Sequence, residues 1–131
     1  MWSRLFKRES GQSLTELALI LPLLLYLICG IIDFGRFMYT YMELNLIAQE
    51  SVRLGGLGQD DAAIRAYALG RLDGADPADL TVQIVPTDTL RKSGDYVEVR
   101  LEERVEWLTP LLNRVLPSPL PIRAESSIRV E

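Results

Sequence analysis

The chain has no histidine and a single cysteine, Cys29, in 131 residues. The first absence removes the Ser-His-Asp triad, the Cys-His pair and the imidazole metal ligand. The second removes any internal disulfide. Positive charge is also in short supply: 14 Lys and Arg stand against 18 Asp and Glu, a net charge of −4. A nucleic-acid module needs a cationic face to neutralise phosphates, so no nucleic-acid partner is expected. Nothing in the chain resembles a nucleotide site. No enzyme activity, cofactor or metal is expected. The best catalytic candidates, Glu98, Glu102 and Glu106, alternate with Arg100 and Arg104, a pattern that reads as a solvated, charge-paired strand face. Asp73, Asp76 and Asp79 lie near Gly74, but their spacing departs from the alternate-residue ligands of an EF-hand loop and reads as a capped turn.

Apolar residues are plentiful and uneven. Leu17 to Ile32 carries no charge and is bracketed by Glu16 and Asp33. Sixteen helical residues rise about 24 Å against a hydrocarbon core of about 30 Å, and a start at Leu14 adds enough to reach about 28 Å. The membrane segment is therefore placed at about residues 14–32. Trp2, Arg4, Lys7 and Arg8 precede it, and Phe34, Phe37, Tyr39 and Tyr41 follow. A basic flank stays cytoplasmic, which predicts a single-pass inner-membrane protein with its C-terminal domain in the periplasm or outside the cell. Beyond Ile32 comes Asp33-Phe34-Gly35-Arg36, with no small-x-small cleavage signal, so the segment reads as an anchor and not as a removed secretory signal. Cys29 follows the bulky Ile28, unlike a lipid-anchor cysteine, and reads as a small apolar side chain. Pro22 predicts a bend or local unwinding near Ala18. Asp33 and Arg36, three apart, are placed to pair where the helix leaves the membrane.

The helix is expected to continue outward, because Phe37, Met38, Tyr41, Met42, Leu44, Ile47, Ala48 and Val52 recur at three- and four-residue steps, and to end at Gly55-Gly56. Residues 61–72 place Ile64, Tyr67, Ala68 and Leu72 on one face after a candidate N-cap, Asp60. Past a turn at residues 73–77 the period changes to two, with strands at Leu80–Val85, Tyr96–Trp107 and Ile122–Val130. Glu103 alone interrupts the apolar face of the second strand, which predicts a bulge, a sheet edge or a contact with another chain. Leu108 to Leu116 has room for a helical turn before the stiff Pro117-Ser118-Pro119-Leu120-Pro121. The first two strands join as a hairpin through residues 91–95. The fold class is α+β: a long N-terminal helix, a short second helix and a three-stranded antiparallel sheet packed on helix. The domain plan is a basic leader at 1–11, the long helix at 12–55 and a small extracytoplasmic domain at 56–131.

Ahead of the apolar run stands Arg8-Glu9-Ser10-Gly11-Gln12-Ser13-Leu14-Thr15-Glu16. Ser13 and Glu16 have the spacing of a capping box, and Glu16 suits the positive end of a helix dipole. Capping leaves unexplained a carboxylate at the mouth of an apolar run, where burial costs several kcal/mol unless the group is paired or protonated. A basic leader, a glycine, a glutamate five residues on and then an apolar helix resemble a type IV prepilin. The whole stretch resembles the TadE-like family of tight-adherence (Flp) pilus assembly, including Leu19-Ile20-Leu21-Pro22-Leu23-Leu24-Leu25 and Asp33-Phe34-Gly35-Arg36. Gln12 stands where most type IV prepilins have phenylalanine, and Leu17 where many Tad-type chains have an aromatic residue.

The resemblance implies a minor pilin or pseudopilin. A prepilin peptidase would cut between Gly11 and Gln12, leaving 120 of the 131 residues. Assembly would draw the helix, from Leu17 past Pro22 to Ile32, into a filament core. There Glu16 would meet the new amino group of a neighbour, neutralising a buried charge and setting register. The implied partners are the membrane, the peptidase, the major Flp pilin and other minor pilins, and the assembly platform, in a homo- or hetero-oligomer. The implied localisation extends to the pilus. The alternative from the residues alone is an uncleaved single-pass scaffold with an extracytoplasmic interaction domain, indifferent to Gly11.

Overall fold

The computed structural model describes residues 2–72, 76 and 78–131, with side chains from residue 10 onward. The elements are α1 (Trp2–Gly56), α2 (Asp61–Arg71), β1 (Leu80–Val85), β2 (Tyr96–Val105), α3 (Pro110–Val115) and β3 (Leu120–Arg129). The three strands form one antiparallel sheet in the order β1-β2-β3, as the period-two pattern requires. Among the described residues, α1 is the one helix long and apolar enough to cross a membrane.

At 55 residues, α1 rises about 82 Å. It differs from the expected helix at its start. The backbone is already helical at Trp2, so Ser13 lies inside α1 and is not its N-cap. Residues 2–12 hold no proline, and the single glycine costs about 1 kcal/mol relative to alanine, too little to stop a helix that the apolar run propagates. Helix also continues through Pro22 and Ala18, so the local unwinding expected there is absent. Pro22 removes one hydrogen bond, which does not end a helix of this length.

The C-terminal end of α1 lies where Gly55-Gly56 predicted it, for a different reason. A Cβ on Gly55 would come within 3.2 Å of both Val97 methyl carbons, and one on Gly56 within 3.0 Å of Ile128 Cγ2. These two glycines let β2 and β3 approach the helix backbone. Termination falls to Gly58 at φ +83°, flanked by a 3.1 Å bond from Gly58 N to Gly55 O and another from Gln59 N to Leu54 O. That pair of bonds is a Schellman cap, which needs a left-handed residue. α2 follows with Asp60 as N-cap, its carboxylate accepting from Ala63 N at 2.9 Å.

The core lies between the outer half of α1, α2 and one face of the sheet, and contains Phe37, Leu44, Ile47, Ala48, Val52, Ile64, Val97, Val99, Leu101 and Ile122. β3 begins at Leu120, two residues before the expected Ile122. Pro121 is tolerated in the strand because β3 is an edge and needs no donor on its outer side. Between β1 and β2 a 3-10 turn at Asp88–Leu90 leads to Arg91, whose buried guanidinium donates to Asp61 at 2.5 Å, Gln59 O at 3.0 Å and Pro86 O at 3.2 Å. The hairpin connection is thus fastened to the start of α2. Of the 73–77 turn, Asp73, Gly74, Ala75 and Pro77 lie outside the described residues. Asp76 there accepts from Ala78 N at 3.0 Å.

Glu103 is neither at a bulge nor at an edge. β2 is the central strand, and its register runs unbroken past Glu103, opposite Leu80 on one side and Ile122 on the other. The bulge and the sheet edge expected for it are therefore both absent, and its carboxyl lies near Glu43 of α1 and Asp79. Burial raises the Glu103 pKa above the usual carboxylate range, and the nearby Glu43 and Asp79 carboxylates push it further. Its Oε2 has no hydrogen-bond partner among the described residues.

Candidate functional site: the helix exit and the faces of the long helix

The order of contacts along α1 sets the geometry. β2 starts beside the far end of the helix, with Val97 against Gly55, and runs back toward the apolar segment, where the Trp107 ring lies 4.3 Å from that of Phe37. The chain then reaches Asp33. This residue is fully buried, and its carboxylate accepts from Leu108 N at 3.1 Å, Thr109 N at 3.0 Å and the Thr109 hydroxyl at 2.7 Å. Arg36 donates to Asp33 at 3.4 Å, as three-residue spacing predicted, and the same nitrogen reaches Glu106 O at 3.4 Å. Trp107 Nε1 donates to Pro117 O at 3.0 Å, closing the excursion from β2 to β3.

Burial alone would raise the Asp33 pKa. The Thr109 hydroxyl, the two amides and the Arg36 charge outweigh it and hold the carboxyl below its ordinary value. A charged carboxylate is stable in a buried position when donors surround it. Asp33 thus fastens the globular domain to the helix immediately after the apolar run. The sequence pointed to Asp33 and Arg36, but not to Thr109 or the two amides, which lie more than seventy residues away along the chain. A Thr-Pro opening a short helix was the available signal, since such a segment needs its amides satisfied.

The residues at the helix start are exposed and on one continuous helix. Gln12 Nε2 donates to Glu16 Oε1 at 3.1 Å, and Thr15 Oγ1 donates to Gly11 O at 2.9 Å. A Cβ on Gly11 would meet nothing within 4 Å. Leu17, Pro22 and Ile32 line the exposed apolar length of α1, and Cys29 is free and exposed. The side chains of Trp2, Arg4, Lys7 and Arg8 lie outside the described residues.

Outside the membrane segment, the apolar residues of α1 divide between two faces. Phe37, Leu44, Ile47, Ala48 and Val52 are buried against the domain, whereas Met38, Met42 and Leu46, at four-residue steps on the opposite side, are exposed together with Phe34, Tyr39 and Tyr41. The continuous apolar pattern that the sequence shows thus serves two surfaces, and the domain covers one.

The charged strand face is paired in part within β2 and in part with β3: Arg100 contacts Glu98 and lies 3.6 Å from Glu125, and Arg123 lies 2.8 Å from Glu102. A cavity of about 680 Å³ is lined by Tyr41, Asn45, Thr81 and Gln83 together with Arg100, Glu102, Arg123 and Glu125. Among the described residues no group of three or more acidic or cysteine side chains is placed to hold a metal ion.

Residues 11–53 match the family model described as TadE-like protein. No curated protein and no solved structure matches the chain. The resemblance read from the helix start and the apolar run is therefore borne out over that segment, which covers the membrane helix, the Asp33 exit and most of the outer half of α1.

Proposed function

We propose that this chain, TadE-like over residues 11–53 and related through that segment to the tight-adherence pilus, is a minor pilin or pseudopilin. The observation that carries the proposal is the uncovered face of α1. Pilin-like subunits assemble by packing long helices, and a helix whose apolar residues continue at four-residue steps on the side away from its own domain has the surface for it. Glu16, at the mouth of the apolar run, takes the register role: in a water-free helix bundle its carboxylate requires a cationic partner, and a newly exposed amino terminus at Gln12 of a neighbour supplies one. The chain is anchored in the cytoplasmic membrane before assembly, its basic end inside and its α+β domain outside. The prepilin peptidase, the major Flp pilin, other minor pilins and the assembly platform are the partners this role requires.

An uncleaved scaffold is the second reading, and the uninterrupted helix across Gly11 and Gln12 favours it, because a peptidase must open that turn to reach the bond. Two substitutions separate the readings. Gly11→Ala fits the space around it and has a favourable helix propensity, so it leaves the fold intact. The pseudopilin reading expects G11A to remain full length and to abolish piliation, and Glu16→Gln to be processed yet fail to assemble. A wild-type chain that stays full length, with piliation unchanged in G11A, would establish the scaffold instead.

A further inference from the structure

We propose that the excursion from Leu108 to Leu116 is a membrane-interface element that seats its apolar side chains in the outer leaflet around the exit of α1. Four observations converge on it. β2 runs back along α1, so the chain enters the excursion at the membrane-facing end of the domain. Its first two amides bond to Asp33, one residue beyond Ile32, which fixes their level at the boundary of the apolar run. Its far end is held at nearly the same level, because Pro117 O accepts from Trp107 Nε1 and the Trp107 ring packs against Phe37. Between these fastenings four of the five large apolar side chains are exposed: Leu108 is 63% exposed, Leu111 49%, Val115 73% and Leu116 40%, with Leu112 half-buried.

The composition of the loop fits a lipid surface better than water. From Leu108 to Ile122 the only charge is Arg114, and no acidic residue is present to be repelled by anionic headgroups. Arg114, exposed on α3, is placed among apolar neighbours as a partner for lipid phosphate. A second copy docking on α1 would meet the face of Met38, Met42 and Leu46 that the domain leaves open, whereas the excursion lies on the domain's side of the helix. The Asp33 fastening places the loop there. This element would add a second membrane contact to the helix and restrict the tilt of the domain before assembly.

The inference rests on α1 spanning the membrane, and the test separates the two claims. The full chain, carrying Cys29→Ala, is reconstituted into phosphatidylcholine and phosphatidylglycerol vesicles with a nitroxide at one of four single cysteines: Leu111→Cys, Val115→Cys, Leu90→Cys or Leu24→Cys. Leu90 is exposed near the opposite end of the domain, and Leu24 lies mid-way along the apolar run. Labels at 111, 115 and 24 are expected to collide with oxygen in preference to a water-soluble nickel chelate, with a ratio several-fold above that at 90. Labels at 111 and 115 that behave as at 90, while 24 stays oxygen-accessible, would overturn the loop proposal alone. Nickel access at 24 as well would overturn the spanning helix and the loop with it. Spin-spin broadening at 111 and 115 without oxygen preference would assign the surface to a second copy and contradict lipid contact.

Discussion

Replacing the Asp33 carboxylate strips acceptors from two amides and a hydroxyl in a buried position. Each unsatisfied buried donor costs about 1–3 kcal/mol, so Asp33→Ala is expected to destabilise the domain by about 3 kcal/mol, read as a lower melting temperature of the full chain in micelles. Thr109→Val removes only the hydroxyl and is expected to cost about 1 kcal/mol. The two perturbed carboxyls have opposite pH signatures. Asp33 has a depressed pKa, so its stabilisation is complete above the ordinary carboxylate value and is lost as pH falls below it toward the folded value. Glu103 has a raised pKa, so at neutral pH it opposes folding, and that penalty is relieved as pH falls through its folded value. Glu103→Gln is therefore expected to raise the melting temperature at pH 7 and to leave it unchanged below about pH 4. An equal effect at both pH values would mean that charge is not the cause.

At the scale of elements, the hydrophobic period located nearly everything. α2 and β1 lie where three-to-four and two-residue spacings put them, and β2 begins at the expected Tyr96 but ends at Val105, two residues short of Trp107, where the chain turns to Asp33. What the sequence did not disclose came from contacts far apart in the chain. Gly55 and Gly56 read as a helix stop, yet they are small because Val97 and Ile128 press on them, while Gly58 makes the cap. Met38 and Met42 fit the same period as Leu44 and Ile47, and nothing in the spacing says which residues a domain will cover. Ser13 matched a capping box that the preceding helical residues made unnecessary. Gly58→Ala forces a Cβ into the left-handed region and is expected to cost about 1–2 kcal/mol, fraying the last turn of α1. Faster amide exchange at Leu57 and Gln59 is the corresponding signature.

At the scale of the whole molecule, one helix has three successive stretches: an apolar run long enough to cross a membrane, a clamp to the domain at Asp33 and, from Phe34 to Leu46, an exposed apolar face to which the proposed function assigns docking. The domain supports the clamp by sending β2 back along α1 to the membrane boundary. Its own polar strand face stays paired and solvated. Alanine at Met38, Met42 and Leu46 together is expected to change the domain's stability by no more than about 0.5 kcal/mol per site, because exposed side chains contribute little to folding. The same triple variant is expected to abolish crosslinking to other pilins in cells.

Processing at Gly11 decides between pilus subunit and scaffold. The direct test is the mass of the intact chain recovered from membranes of cells with and without the prepilin peptidase. A processed pseudopilin loses residues 1–11 only when the peptidase is present, leaving a chain that begins at Gln12. Full-length protein in both strains would contradict it.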